Sequence, residues 1–323
     1  MESCSLGIDI GGTKIAAGLV SRSGEVFEQK NYPTPQESNQ SILEVLREII
    51  SSFPGIALEM DKNLIGIGVG SAGQVNFKDG QILSGTTNIK DWNNIHITKY
   101  LNQFTDLPIW LDNDANTFAV AEYVHGSARG TNDMVCLTLG TGVGGGIISN
   151  GDLIRGDWGG AAELGHITVD MNGPACNCGS NGCMEVYASG TGIANRMKEH
   201  LAHLAKQELP EEIKFYLENP ERLTSKEVFS WYEAGLPVAT ETINLAIQAL
   251  SYGIVSIIHT FNPSVIVLGG GLVRERTWLA TEIKKNIASK GIRSLVEPVD
   301  IRISELGYHA GLIGAASQVW FQQ

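Results

Sequence analysis

The stretch LGIDIGGTKIAAGLV, residues 6–20, holds two apolar runs, Leu6–Ile10 and Ile15–Val20, hinged on Gly11 and Gly12. Short apolar runs broken by paired glycines read as strands joined by a tight turn. Ser23-Gly24 supplies another turn and Val26–Lys30 a further strand, so the opening is expected to be three antiparallel strands. The first turn carries chemistry as well. Two glycines open backbone conformations closed to other residues and let a ligand approach the amides. Such turns form concave anion sites. Thr13 adds a hydroxyl donor and Lys14 a point charge, and Asp9 at the strand end can hold Mg²⁺ directly or through water. An ordinary hairpin with polar surface residues accounts for this one turn equally well, so the rest of the chain must decide.

Beyond the opening, Ile42, Leu43, Leu46, Ile49 and Ile50 recur at helical spacing and predict a helix over Ser41–Phe53. Leu64–Val69 reads as a buried strand ending in a glycine-rich loop. Ile109–Leu111 reads as another, feeding a helix over Ala115–Val124. The order of the first half is therefore β-β-β-α-β-α-β-α. The pattern then restarts: Met134–Leu139 is a strand, Gly140-Thr141-Gly142 a turn, Gly144–Ile148 a strand. An internal duplication explains the echo. Residues 190–261 are expected to be mostly helical, with Leu201–Pro237 an appended polar segment interrupted by Pro210 and Pro220, and Val238–Phe261 one long helix. Val265–Leu268 is a strand ending in Gly269-Gly270-Gly271, followed by a helix over about 276–289. A last helix over about 309–319 is expected to return to the first domain.

A length of 323 residues suggests two domains. The formal net charge of -12 argues against a nucleic-acid or anionic-membrane partner, either of which needs a basic face. It leaves room for a phosphate ligand, which backbone N–H groups can bind locally. The first ten residues lack the basic and apolar regions of a secretory signal, and no run of 18 or more apolar residues occurs. Five cysteines, an odd number, fit poorly with a disulfide framework. A reducing, cytoplasmic location is expected.

A second loop, LGTGVGGG at residues 139–146, repeats the logic of the first: glycines and a hydroxyl between strands. Two such loops, one per domain, are expected to grip a polyphosphate from both sides of a cleft. LGGGL, residues 268–272, ends a strand and precedes a helix, where open α/β sheets bind ligands. No Walker A spacing occurs.

DIGGTK (9–14), GTGVGGG (140–146), ELGH (163–166) and CNCGSNGCME (176–185) together resemble the ROK family of sugar kinases and related repressors, over essentially the whole chain. The glycine loops are shared with the wider actin and hexokinase group; the pairing of ELGH with the cysteine motif is far more specific. The resemblance implies an α/β protein of two actin-like ATPase (ribonuclease H-like) domains around an interdomain cleft. The expected division is 1–112 with about 304–323, and 113–303.

Cys176, Cys178 and Cys183 with His166 form a Cys₃His set, a standard zinc combination. Gly179 and Gly182 let the loop fold around an ion. Four protein ligands leave no open position, so the zinc is structural. Its expected work is to clamp residues 176–185 against 163–166 and fix Glu163 and Glu185 in one pocket. Cys4 and Cys136 have no such partners in sequence.

By the same resemblance, Asp114 in LDNDAN (111–116) is the catalytic base and Asn113 binds a neighbouring hydroxyl, while Asp112 packs or caps. Helix capping is a role these residues would also fill. Gly73, Asn88, Asn113, Asp114, Glu163, His166 and Glu185 are the expected sugar contacts. Asp9, Gly11, Gly12, Thr13, Lys14, Thr141, Gly142, Gly269, Gly270 and Gly271 are the expected contacts of ATP·Mg²⁺. The chain departs from the family pattern in having Ala72 where a proline is common before Gly73, and Thr87 before Asn88. Trp92 is retained, and His96, His125 and His200 lie outside the motifs.

The implied activity is ATP-dependent phosphorylation of a hexose at the C6 hydroxyl, with glucose favoured. N-acetylglucosamine or N-acetylmannosamine kinases share the motifs, and fructose stays open. A sugar-responsive repressor is disfavoured because the first glycine loop starts within ten residues of Met1 and the chain is acidic. A passive sugar-binding protein leaves the phosphate loops unexplained. A homodimer is the expected assembly.

Overall fold

The computed structural model describes residues 1–86, 89–204 and 211–321. Contacts divide the chain into two compact units: residues 1–136, 146–162 and 304–323 form one, residues 137–145 and 163–303 the other.

The first unit is built on a five-stranded sheet in the order β3-β2-β1-β4-β8. Its strands are β1 (Glu2–Ile10), β2 (Lys14–Ser21), β3 (Val26–Pro33), β4 (Lys62–Ser71) and β8 (Ile109–Asn113). The first three are antiparallel, while β4 and β8 run parallel to β1. Ile10 pairs with Ile15, so the quoted turn is Gly11–Lys14 itself. Side chains alternate across the sheet. Leu6, Ile8, Ile10, Ile67 and Val69 share one core with Leu46, Ile49 and Phe53 of α1 (Asn39–Glu59). The intervening glycines take the other face. A Cβ at Gly68 would collide with the Ala315 carbonyl of α12 (Ala310–Phe321), so glycine there sets the close approach of helix to sheet. Helix α3 (Asp114–Val124) packs beside α12.

Helix α1 runs six residues past its expected end at Phe53, through Pro54. Pro54 is exposed, so the ring and the lost N–H fall on the solvent side. Three strands, β5 (Gln74–Asn76), β6 (Gln81–Ser84) and β7 (Ile95–His96), form a small sheet, and α2 (Ile97–Leu101) follows. The three strands were not legible because each is too short to show a period.

A second five-stranded sheet has the order β11-β10-β9-β12-β13, the order of the first strand for strand, as duplication predicts. It comprises β9 (Met134–Leu139), β10 (Val143–Ser149), β11 (Asp152–Leu153), β12 (Val265–Gly269) and β13 (Asp300–Ile303). Strand β13 was not expected. It is a four-residue edge strand parallel to β12, and its DIRI sequence carries two charges. The expected helix over about 276–289 is α10 (Trp278–Ile287), and a short additional helix, α9 (Gly271–Arg274), precedes it.

The second unit centres on α8 (Pro237–Phe261), long and apolar enough to cross a membrane by length and composition alone. Two thirds of its most apolar window is buried. It is wrapped by α4 (Glu185–Ala188), α5 (Gly190–Ala202), α7 (Ser225–Glu233), α10 and α11 (Arg293–Val296). Its apolarity is that of a core helix.

Candidate functional site

In the turn after β1 every carbonyl already accepts a hydrogen bond. Gly11 O accepts from Thr34 Oγ1 at 2.7 Å, Gly12 O from Gln36 Nε2 at 3.0 Å, Thr13 O from Thr34 N–H at 3.0 Å and Lys14 O from Gly11 N–H at 3.0 Å. The amides of Gly12 and Thr13 donate to nothing among the described residues. Consecutive free N–H groups of this kind form an anion-binding nest.

The turn after β9 is arranged the same way. Gly140 O accepts from Gly190 N–H at 2.8 Å, Thr141 O from Thr191 N–H at 3.4 Å and Gly142 O from Gly140 N–H at 3.0 Å. The amides of Thr141 and Gly142 are left without an acceptor among the described residues. Sequence reading identified both loops but missed the residues that engage their carbonyls. Thr34, Gln36, Gly190 and Thr191 lie 20 to 50 residues away and have no signature of their own.

Asp9 is the penultimate residue of β1. Burial pushes its carboxyl up to about 6, the charge of Asp114 adds to the rise, and Lys14 opposes it. A carboxylate raised by a like charge and by lost solvation is set up to gain from a cation. That fits the expected Mg²⁺ role, in which Asp9 would hold the ion directly or through water.

Asp114 opens α3 and is exposed, while its neighbour Asp112 is buried. The turn between them is fixed by side chains. Asn113 is the N-cap: its Oδ1 accepts from Ala115 N–H at 2.8 Å, and its Nδ2 donates to Gly73 O at 3.0 Å. Asp112 Oδ1 accepts from Asn113 N–H and Asn116 Nδ2, both at 2.8 Å, and its Oδ2 from Arg155 Nε at 2.6 Å. Asp112 thus packs and pairs. Arg155, 43 residues away, gave no sequence signal. Gly73 has φ of +107°, a conformation that suits glycine. Trp92 is fully buried and donates from Nε1 to Ser71 Oγ at 3.0 Å. The expected sugar contact Asn88 lies outside the described residues.

In the second unit the four expected zinc ligands converge. The Sγ atoms of Cys176, Cys178 and Cys183 and a ring nitrogen of His166 all lie within 4.8 Å of one another. Cys178 Sγ and Cys183 Sγ are 3.6 Å apart, and Cys176 Sγ is 3.5 Å from His166 Nδ1. A tetrahedral ion with Zn–S bonds of about 2.3 Å sets sulfurs about 3.8 Å apart. The donors therefore fit a closed zinc site. Gly179 and Gly182, at φ of +93° and +59°, make the loop's reversals. With Nδ1 toward the sulfurs, His166 keeps Nε2 on the opposite edge of the ring.

The two segments that carry Glu163 and Glu185 are tied together beside this cluster. Met184 N–H donates to Ile167 O at 2.9 Å and Val169 N–H to Gly182 O at 2.8 Å. Glu163 is exposed and Glu185 half-buried. Glu185 Oε2 accepts from Val143 N–H at 2.8 Å. Gly270, at φ of +90°, follows β12 directly above the Leu139 backbone, and Gly271 opens α9.

The family model described as "ROK family" matches residues 5–322. The chain belongs to the ROK family. A glucokinase of Thermotoga maritima is 33% identical to this ROK chain over 313 residues, 97% of this chain and 96% of the other. An N-acetylmannosamine kinase of Escherichia fergusonii is 31% identical over 314 residues, 97% of each chain. The crystal structure of a ROK family glucokinase from Streptomyces griseus, in complex with glucose and AMPPNP, is similar with a TM-score of 0.77 and 32% identity, covering 98% of both chains. The mixed α/β architecture is the actin-like ATPase fold of these ROK kinases.

Proposed function

We propose that this chain transfers the γ-phosphoryl group of ATP to the C6 hydroxyl of glucose, with Asp114 as general base. The protein is an ATP-dependent sugar kinase. The observation that carries the reading is the pair of amide nests, Gly12-Thr13 and Thr141-Gly142, each with its loop carbonyls already accepting hydrogen bonds. Preorganised N–H groups hold a polyphosphate without reorganising as charge shifts during transfer.

In the proposed reaction the amides of both loops and Lys14 bind the phosphates, and Gly269–Gly271 receive the adenosine. Asp9 would hold Mg²⁺ directly or through water, and the ion would supply positive charge against the phosphates. Glu163, Glu185 and Nε2 of His166 bind sugar hydroxyls, as do Asn113 and Asn88, with Gly73 lining the pocket. Carboxylates make the strongest acceptors for hydroxyl donors. Asp114 takes the proton of the C6 hydroxyl as its oxygen bonds to the γ-phosphorus and the bond to ADP breaks. His166, Cys176, Cys178 and Cys183 would hold Zn²⁺, which would tie the 163–170 and 176–185 segments together.

Support for glucose comes from the 33% identity to a glucokinase along nearly the full chain. The N-acetylmannosamine kinase at 31% keeps an N-acetylhexosamine as the second reading. A coupled ADP-release assay with glucose, N-acetylglucosamine, N-acetylmannosamine, mannose and fructose separates them. The highest kcat/KM on glucose sustains the first reading; the highest on an N-acetylhexosamine replaces it with the second. The enzyme is proposed to be a cytoplasmic homodimer.

A further inference from the structure

Glu185, a sugar contact in the proposed reaction, also touches the second glycine loop. Its only side-chain hydrogen bond among the described residues is with the Val143 amide, at 2.8 Å, where the second phosphate loop enters β10. The same carboxylate fills the space above Gly142: a Cβ there would lie 2.6 Å from Oε2. Five residues on, Gly190 and Thr191 donate to the carbonyls of Gly140 and Thr141. The run from Glu185 to Thr191 therefore backs the whole loop, by one side chain at one end and two amides at the other. The run begins two residues after the zinc ligand Cys183.

We infer that Glu185 is a positioning residue for the nucleotide as well as a sugar contact: Oε2 holds the Gly140–Val143 loop in its anion-binding form, and Oε1 is the oxygen offered to the sugar. The inference rests on the kinase reading above. Its physical basis is the shared carboxylate. A hydroxyl donated to Oε1 restrains the side chain in the rotamer that holds Val143, so part of the ordering cost of the loop is met before ATP arrives. By linkage, nucleotide bound on the loop favours the same rotamer and tightens sugar binding by the same factor. A glutamate acting on the sugar alone has no influence on ATP in the absence of sugar.

The test is calorimetric titration of AMPPNP·Mg²⁺ into sugar-free Glu185→Ala and Glu185→Gln, with zinc content measured on each. The expected result is a nucleotide Kd weakened about tenfold or more in Glu185→Ala, with Glu185→Gln, which keeps an acceptor oxygen for Val143, within about threefold of wild type. Gly142→Ala provides the reciprocal reading with no nucleotide present. Its new methyl group displaces the carboxylate, and glucose binding is expected to weaken severalfold. Wild-type nucleotide affinity in zinc-replete Glu185→Ala overturns the inference. So does wild-type glucose affinity in Gly142→Ala, should Glu185→Ala not fold. Wild-type protein that binds neither AMPPNP·Mg²⁺ nor glucose overturns the kinase reading itself, and the coupling with it.

Discussion

Arg155 and Asp112 form a buried ion pair, Nε to Oδ2 at 2.6 Å, with side chains 12% and 2% exposed. It lies directly behind the turn that presents Asp114. Asp112 is fully engaged, by Arg155 on one oxygen and by Asn113 N–H and Asn116 Nδ2 on the other. Arg155 also rests on the Phe77 ring, 5.1 Å from its centroid. The pair neutralises the carboxylate two residues before the proposed base and leaves Asp114 as the exposed negative charge of the turn.

Removing one member strands the other. Arg155→Leu is expected to lower stability by about 3–5 kcal/mol, the usual cost of leaving a buried charge unpaired. Urea denaturation followed by circular dichroism measures it. Arg155→Lys should recover part of the loss, because a lysine supplies charge without the planar fork. A Leu variant within about 1 kcal/mol of wild type would show that water reaches Asp112.

Asp114→Asn should keep the fold, since the helix cap belongs to Asn113. It should also keep glucose affinity within a few-fold. Turnover should fall at least about a hundredfold, the low end for a general base. Single-turnover phosphoryl transfer is the measurement, and near-normal turnover would remove Asp114 from the chemistry.

One zinc per chain is expected by elemental analysis of the protein as purified. Cys178 is the exposed residue of the four. Cys178→Ser is expected to lose most of the metal and with it the close pairing of the 163–170 and 176–185 segments. Amide exchange at Met184 and Val169 should then speed up, while exchange in β1 and β4 should not change. Metal-free protein with full activity and unchanged exchange would end the structural role.

His125 gives a pH dependence. Burial holds its imidazole below the ordinary value of 6.5, and the Arg129 charge lowers it further, against a rise from the Ser23 backbone. Its ring lies 3.0 Å from Ser317 Oγ and covers Gly24. A folded-state value below the unfolded one means the unfolded chain binds the proton more readily. The stabilising contribution is therefore full above about 6.5 and lost as pH falls below it, by at most about 1.4 kcal/mol per pH unit for one proton. In His125→Gln the fall in Tm between pH 7 and pH 5 should be shallower than in wild type. Parallel curves would assign the acid sensitivity to other groups.

The sequence by itself determined the local elements and the candidate metal donors. Alternation and glycine placement located the three opening strands, β9 to the residue, α8 and the two glycine loops, because period and turn chemistry are properties of neighbouring residues. The Cys₃His set was legible for the same reason: three of its donors fall within eight positions. The tertiary structure alone decided what holds these parts in place. Arg155 on Asp112, Thr34 and Gln36 on the first loop, and Gly190, Thr191 and Glu185 on the second are contacts between segments far apart in sequence. The helix continuing past Pro54 and the edge strand Asp300–Ile303 were decided the same way, by which side faces solvent and which strand lies alongside. A hydrogen bond depends on the distance between two atoms in space, and a sequence fixes that distance only for residues a few positions apart.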